Sequence, residues 1–171
     1  MENSKTMAGF INIKEFTYEE IISKISESSR RVPFLVGETQ YHVKMNSQRY
    51  VLFKDQKNCQ CCGLEGVTFI LQHNLNQVNY HFNLYAKEND DYVLMTKDHI
   101  QPKSKGGKNL LSNYNTTCAI CNHLKDNCEI NYSELFKLRL IWNENINKIS
   151  KKELLYIIRE ERACIANQKE L

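Results

Sequence analysis

Two pairs of cysteines have the spacing of metal ligands. Cys59 and Cys62 form one C-x-x-C pair, and Cys118 and Cys121 form the other. Two such pairs can supply four thiolates to one tetrahedral zinc ion, at about 2.3 Å each. Gly63 follows the first pair and permits the tight turn that lets backbone N–H groups approach the sulfurs. Because four sulfur ligands complete the zinc shell, the pattern predicts a structural rather than a catalytic zinc site.

The other cysteines leave alternatives open. Cys61 lies between Cys59 and Cys62, so the sequence also offers a pair of Cys59 with Cys61. We favour Cys62, because the turn that ends at a glycine needs that register. Cys128 and Cys164 have no neighbour at metal spacing and are interpreted as ordinary thiols. An odd total of 7 cysteines argues against a disulfide framework, and buried free thiols are the alternative to zinc.

Asp98 and His99 are adjacent, and a loop with Pro102, Gly106 and Gly107 follows them. A carboxylate is a hard oxygen ligand suited to Mg²⁺ or Mn²⁺. An imidazole of ordinary pKa, about 6.5, is mostly neutral in the cytoplasm and can accept a proton from water. Neighbours on a regular strand point to opposite faces, so both can act on one phosphate only if the chain bends. Alone, such a pair is more often a polar turn that closes a strand.

A helix is expected from the second cysteine pair onward. Asn122, Lys125 and Asp126 then lie at i, i+3 and i+4 and share a face. Asn122 can add a neutral amide oxygen to the carboxylate of Asp98. Two protein ligands leave room for phosphate oxygens and water around Mg²⁺. Asp126 is a further candidate near the metal, whereas His123 is predicted to point elsewhere and to be structural or solvated.

In this order the motifs resemble the HNH endonuclease family, in its zinc-containing ββα-metal form. The match covers residues 58–127 and combines C-x-x-C-G, D-H-I-x-P-x-S-x-G-G, a central Asn and C-x-x-C-N-x-x-K. Its residues are Cys59, Cys62, Gly63, Asp98, His99, Ile100, Pro102, Ser104, Gly106, Gly107, Asn113, Cys118, Cys121, Asn122 and Lys125. The chain departs from the family at Tyr114, where Leu is frequent. "RYVLF", before the first cysteine pair, resembles the lead-in of phage-type members.

The resemblance implies a metal-dependent endonuclease that hydrolyses DNA phosphodiesters and leaves 5′-phosphate and 3′-hydroxyl ends. His99 is then the general base, and Asp98 with Asn122 holds one ion, Mg²⁺ or Mn²⁺. Asn113 is a supporting residue that braces the loop and orients the histidine through its backbone. Contacts to DNA, most of all double-stranded DNA, are expected from four lysines: Lys103, Lys105, Lys108 and Lys125.

The whole-chain composition permits this function. A hydrophobic content of 42% in 171 residues is enough for one compact domain and argues against bulk disorder. A formal charge of +3 allows a nucleic-acid partner without requiring one. No run approaches the roughly 18 apolar residues of a membrane span, so no membrane partner is expected. The N-terminal residues lack a signal-peptide pattern, which predicts the reducing cytoplasm.

The expected fold is α+β, with a ββα-metal core, a structural zinc site of four cysteines, an extended β-hairpin insert and flanking helices. Residues 1–57 are predicted to be an accessory segment. It contains a helix that begins near Thr17, with Glu20 completing a capping box, and strand-like pieces that include "RYVLF". Residues 58–128 are predicted to be the nuclease core, and residues 129–171 a C-terminal helical extension. Its last helix is expected to begin at Ser150, with Glu153 completing a capping box.

The sequence leaves other functions open. A non-catalytic zinc module that binds nucleic acid or protein would retain the same scaffold. A nuclease that acts on RNA or on a structured DNA intermediate would carry the same motifs. The target sequence, nicking or double-strand cleavage, the biological role and the oligomeric state are not predicted.

Overall fold

The computed structural model describes residues 6–7, 9–26 and 30–167, which form a mixed α+β fold. The strands are β1 (Thr6–Met7), β2 (Phe10–Thr17), β3 (Arg31–Val36), β4 (Thr39–Lys44), β5 (Gly66–Asn74), β6 (Gln77–Glu88), β7 (Asp91–His99) and β8 (Tyr114–Cys118). The helices are α1 (Tyr18–Ile22), α2 (Gln48–Asp55), α3 (Ala119–Lys125), α4 (Tyr132–Asn145) and α5 (Lys151–Asn167). The predicted α+β class is therefore confirmed.

Within these residues, one antiparallel sheet has six strands in the order β1-β2-β5-β6-β7-β8. β3 and β4 form a separate two-stranded hairpin. Strand β2, from the predicted accessory segment, pairs with β5 of the predicted core over Phe10 to Thr17. The sheet thus crosses the expected boundary between residues 57 and 58.

The long segment between Gly63 and Asp98, called the spacer below, contains the hairpin of β5 and β6. Phe69 pairs with Leu84 and Leu71 pairs with Phe82 across this hairpin, and all four side chains are fully buried. Because residues two apart on a strand share a face, these positions give the hairpin one continuous apolar face. The spacer therefore builds the hydrophobic core beside the site.

The prediction of a strand at "RYVLF" is wrong, because this segment lies in helix α2. Tyr50 and Phe53 are three residues apart, share a helical face and are both buried. The Tyr50 hydroxyl accepts a hydrogen bond from Phe82 N at 2.9 Å. Aromatic and β-branched residues favour strands by propensity, but burial against β6 decides the conformation here.

The predicted helix starts are confirmed by their caps. Thr17 and Glu20 form a capping box at α1, with Glu20 N donating to Thr17 Oγ1 at 3.2 Å. Ser150 and Glu153 exchange the equivalent bonds at α5. Arg162 of α5 donates to Leu124 O at 3.0 Å, so the C-terminal helix caps the end of α3. No helix in the described part of the chain is long and apolar enough to cross a membrane.

Candidate functional site

The four sulfurs of the predicted metal ligands form one compact group. The Sγ atoms of Cys59, Cys62, Cys118 and Cys121, called the cysteine cluster below, all lie within 4.8 Å of one another. The Sγ atoms of Cys62 and Cys118 are 3.9 Å apart. Four ligands at about 2.3 Å in a tetrahedron lie about 3.8 Å from one another, so the cluster has the dimensions of a metal site.

Local backbone structure builds each half of the cysteine cluster. Gly63 has φ +77°, a conformation that side chains other than glycine rarely adopt, and its N–H donates to Cys59 O at 2.9 Å. Cys118 is the N-cap of α3 and accepts a hydrogen bond from Cys121 N at 3.4 Å. The two halves are joined where Gln60 N donates to Thr116 O of β8 at 2.9 Å.

The structure also decides between the alternative cysteines. Cys61 lies outside the cysteine cluster, and its sulfur is 3.9 Å from Tyr132 O. Cys62 takes the fourth position, which confirms the register predicted from Gly63. Cys128 and Cys164 are free thiols outside the cluster, and Cys164 is exposed.

The thiols of the cysteine cluster differ in the direction in which their pKa values are shifted. Hydrogen bonds from Cys118 and then Cys121 hold the pKa of Cys59 well below its usual range and lower the pKa of Cys62 to about 6. The hydrogen bonds of Cys121, with Cys118 first, raise the pKa of its thiol. The lowered pKa values of the first C-x-x-C pair favour the thiolate, the form that binds metal.

Asp98 and His99 line one cavity of about 500 Å³ at the end of β7. The remaining lining of this site cavity comes from Thr96, Pro102, Lys103, Ser104, Ala119, Asn122, His123, Lys125, Asp126 and Asn127. His99 is the last residue of β7, and the chain leaves the strand immediately after it. The adjacent Asp98 and His99 therefore reach the same space with Asn122, as the predicted bend requires.

The carboxylate of Asp98 is buried beside a lysine. Lys125 Nζ lies 2.9 Å from Asp98 Oδ2, and both side chains are less than a tenth exposed, at 2% and 9%. The same ammonium donates to His99 O at 2.5 Å. The predicted phosphate contact of Lys125 does not fit this position, because its charge is enclosed and already paired. Lys125 instead joins α3 to the end of β7.

The oxygens near this ion pair suit a hard divalent cation. Asn122 Nδ2 donates to Thr96 Oγ1 at 3.0 Å, which orients the amide and leaves its oxygen without a hydrogen bond from the described residues. Asp98 Oδ2 is buried and, apart from the ion pair, receives no hydrogen bond from them either. A carboxylate and an amide oxygen in one cavity are ligands that Mg²⁺ and Mn²⁺ prefer.

Asn113 fastens the loop between β7 and β8. Its Nδ2 donates to Gln101 O at 3.1 Å and Lys108 O at 3.0 Å, and its Oδ1 accepts from Gln101 N at 2.9 Å. Asn113 O accepts from Ile100 N at 2.9 Å, directly after His99. These bonds tie both ends of the loop together, although Asn113 does not line the site cavity.

The loop itself carries three of the predicted DNA-contacting lysines. A Cβ on Gly107 would lie 1.9 Å from Gln101 O, so only glycine allows this closure of the loop. Lys103 lines the site cavity. Lys105 lies 3.9 Å from Glu129 in an exposed ion pair, and Lys108 is exposed.

Several residues near the site were not anticipated. His123, predicted to point elsewhere, lines the site cavity and has its ring 6.4 Å from that of Trp142. Asp126, which was a predicted candidate near the metal, also lines the cavity, and it pairs with Arg162 of α5 at 3.4 Å. Asn109 Oδ1 lies 3.0 Å from Nε2 of His99. No periodicity or motif marks Asn109 or Arg162, since both act through contacts distant in sequence.

Comparison with protein families agrees with this geometry. Residues 86–130 match the HNH endonuclease family. The matched segment contains the second cysteine pair and Asp98, His99, Asn113 and Asn122, whereas Cys59 and Cys62 lie before it. The resemblance predicted from the motifs is thus confirmed over this segment. Comparisons with curated proteins and with solved structures give no match.

Proposed function

We propose that the chain is a metal-dependent DNA endonuclease with a ββα-metal core formed by β7, β8 and α3. The observation that carries the proposal is the convergence of Asp98, His99 and Asn122 on one open cavity within the segment that matches HNH endonucleases. An HNH segment implies nucleic acid as substrate, and double-stranded DNA is the form we propose.

His99 is the proposed general base. Its imidazole takes a proton from a water molecule, whose oxygen forms a bond to phosphorus while the bond from phosphorus to the 3′ oxygen breaks. The 3′ oxygen leaves as a hydroxyl after taking up a proton, and the new 5′ end keeps the phosphate. Lys125 and Asn113 hydrogen-bond the two ends of the peptide group between His99 and Ile100, so the ring stays beside the scissile phosphate.

Asp98 and Asn122 are the proposed ligands of one Mg²⁺ or Mn²⁺. A divalent cation held by these two residues would neutralise charge on the phosphate and stabilise the leaving oxygen. Thr96 orients the Asn122 amide for this task. Lys125 holds the buried carboxylate of Asp98 in place through the ion pair.

Lys103, Lys105 and Lys108 are proposed to contact the DNA backbone. All three are exposed on the loop that leads away from the site cavity. Lysines at such positions add sequence-independent affinity that falls as salt rises. They would hold the duplex with a phosphate at the cavity entrance.

The cysteine cluster is proposed to bind a structural zinc ion. Four sulfurs fill a tetrahedral shell and leave no position for substrate. The zinc would join the turn at Gly63 to the start of α3, and hence fix the helix that carries Asn122. Within this proposal residues 58–128 are the nuclease core, residues 1–57 the accessory segment and residues 129–171 the helical extension.

The test is cleavage of supercoiled plasmid DNA with Mg²⁺ by the wild type and by His99→Ala. We expect cleavage by the wild type, loss with EDTA, and loss in the variant. His42→Ala, an exposed histidine on β4, is the matched control and should cleave normally. Equal cleavage by wild type and His99→Ala would refute the assignment.

Binding of DNA without any cutting would instead favour a non-catalytic zinc module. A parallel assay with single-stranded RNA of equal length determines whether DNA or RNA is the substrate. End-labelling of the products shows whether the 5′ ends carry phosphate.

A further inference from the structure

The ring of His99 is held at one nitrogen and on one side. Its Nε2 lies 3.0 Å from Asn109 Oδ1, and its ring centroid is 4.6 Å from that of Tyr114 in an edge-on arrangement. The other ring nitrogen, Nδ1, has no hydrogen-bond partner among the described residues. The imidazole thus has one occupied nitrogen and one free nitrogen beside the site cavity.

Asn109 Oδ1 has a second hydrogen-bond partner besides His99. The Tyr114 hydroxyl donates to this oxygen at 3.0 Å. An amide oxygen only accepts hydrogen bonds, so the His99 nitrogen that faces it must supply the proton. Nε2 is then protonated, and the lone pair of the neutral ring is on Nδ1.

Tyr114 is itself fixed in place. It is 3% exposed and lies opposite His99 in the register of β7 with β8. Lys97, two residues before His99 on the same strand face, places Nζ 3.7 Å from the centre of the tyrosine ring. Gln48 of α2 donates to Asn109 O at 3.4 Å, so the asparagine is also held through its backbone.

We propose that Asn109 and Tyr114 are positioning residues that lock His99 as the Nε2–H tautomer, with Nδ1 as the atom that accepts a proton. A leucine at position 114, frequent in the family, would fill the space but offer no hydroxyl to orient Asn109. The presence of tyrosine rather than leucine at position 114 therefore has a chemical role. The catalytic consequence rests on the proposed nuclease function, whereas the tautomer is a property of the protein alone.

The first experiment measures the tautomer directly. Long-range ¹⁵N–¹H NMR spectra are recorded on the full-length, zinc-loaded chain without Mg²⁺, at an alkaline pH where the imidazole is neutral. His99→Ala identifies the His99 signals. We expect the Nε2–H pattern in the wild type and in Asn109→Asp, which retains an acceptor oxygen. Asn109→Leu and Tyr114→Phe should show averaged tautomers, whereas Ser112→Ala, an exposed loop residue, should match the wild type. An Nδ1–H pattern in the wild type would overturn the proposal.

The second experiment measures cleavage kinetics. Tyr114→Phe and Asn109→Leu should lower kcat about tenfold with little change in KM, because such a loss lies in the transition state rather than in binding. If the wild type cleaves DNA but both variants keep its kcat and its tautomer, the positioning role is wrong and the nuclease function stands. If the wild type does not cleave, the nuclease function fails and the NMR result alone decides this proposal.

Discussion

The cysteine cluster and the site cavity are built around the same helix, yet they differ in how completely their polar atoms are enclosed. The cluster consists of four identical donor atoms, and Cys59, Cys118 and Cys121 are at most 2% exposed. The cavity combines a carboxylate, an imidazole and an amide, and His99 and Asn122 remain partly exposed. A closed set of donors can hold an ion, whereas an open set can also admit a substrate.

Helix α3 connects these two regions through adjacent residues. Cys121 is a member of the cysteine cluster, while Asn122, the next residue, lines the site cavity. The cluster therefore fixes the first turn of the helix that presents a proposed metal ligand. This arrangement predicts that substitutions in the cluster change folding, whereas substitutions in the cavity change the rate of the reaction.

The largest effect on stability is expected for Cys118→Ser. A structural zinc ion supplies about 10–16 kcal/mol of folding free energy. That is comparable with the entire stability of a domain, about 5–15 kcal/mol. The variant should lose its cooperative thermal transition by circular dichroism and its bound zinc by elemental analysis. Cys164→Ser, an exposed thiol outside the cluster, is the control and should melt normally. A sharp transition with full metal content in Cys118→Ser would contradict the structural role.

A smaller but substantial loss is expected for Lys125→Met. The substitution leaves the Asp98 carboxylate buried without its partner, which should lower the free energy of unfolding by about 3–5 kcal/mol. Urea denaturation measures this change. Lys105→Met, whose ion pair is half exposed, should stay within about 0.5 kcal/mol. Adding Asp98→Asn to Lys125→Met should restore part of the loss, and a double variant as unstable as the sum of both would argue against the pairing.

His99→Ala should separate stability from activity. We expect a change in the free energy of unfolding of about 1 kcal/mol or less, because the partly exposed ring lies at the edge of the core. Cleavage should fall by about 10²–10⁴-fold, the usual contribution of a general base. The two values come from urea denaturation and from plasmid cleavage on one preparation. A variant that unfolds as readily as Cys118→Ser would remove the distinction between the two regions.

The smallest effects are expected at the exposed loop. Lys108→Ala should leave the melting temperature unchanged and reduce the slope of log affinity against log salt by about 1, as for the loss of one phosphate contact. Fluorescence anisotropy with a labelled duplex at several salt concentrations measures the slope. Lys24→Ala, in the turn after α1, is a matched exposed lysine and should leave the slope unchanged. An unchanged slope for Lys108→Ala would place the DNA elsewhere.

Local spacing explains what could be predicted from the sequence. Three predicted features depend on residues within a few positions of each other: the C-x-x-C pairs, the turn at Gly63, and the helix face shared by Asn122 and Lys125. The structure forms each of these features as expected. The capping boxes at Thr17 and Ser150 are equally local. Such features are set by turn and helix geometry, which the order of residues determines directly.

Contacts between distant segments could not be predicted in this way. Lys125 is 26 residues from His99, and its pairing with Asp98 depends on how α3 packs against β7. Segment "RYVLF" is helical because Tyr50 and Phe53 meet the core, against the preference of its residues for strands. Asn109 has no motif of its own, and its contact with His99 becomes visible only when β8 is paired with β7.

The separation of the two cysteine pairs along the chain sets an order of events during synthesis. Cys62 and Cys118 are 56 residues apart, and β5, β6 and β7 lie between them. At about 5–20 residues per second, the ribosome releases the second pair about 3–11 s after the first. A β-hairpin forms in about 1–10 μs, so the β5–β6 hairpin has ample time to form first. All four cysteines can therefore bind one ion only after the strands between them have been synthesised, and a nascent chain would complete its hairpin before its cysteine cluster.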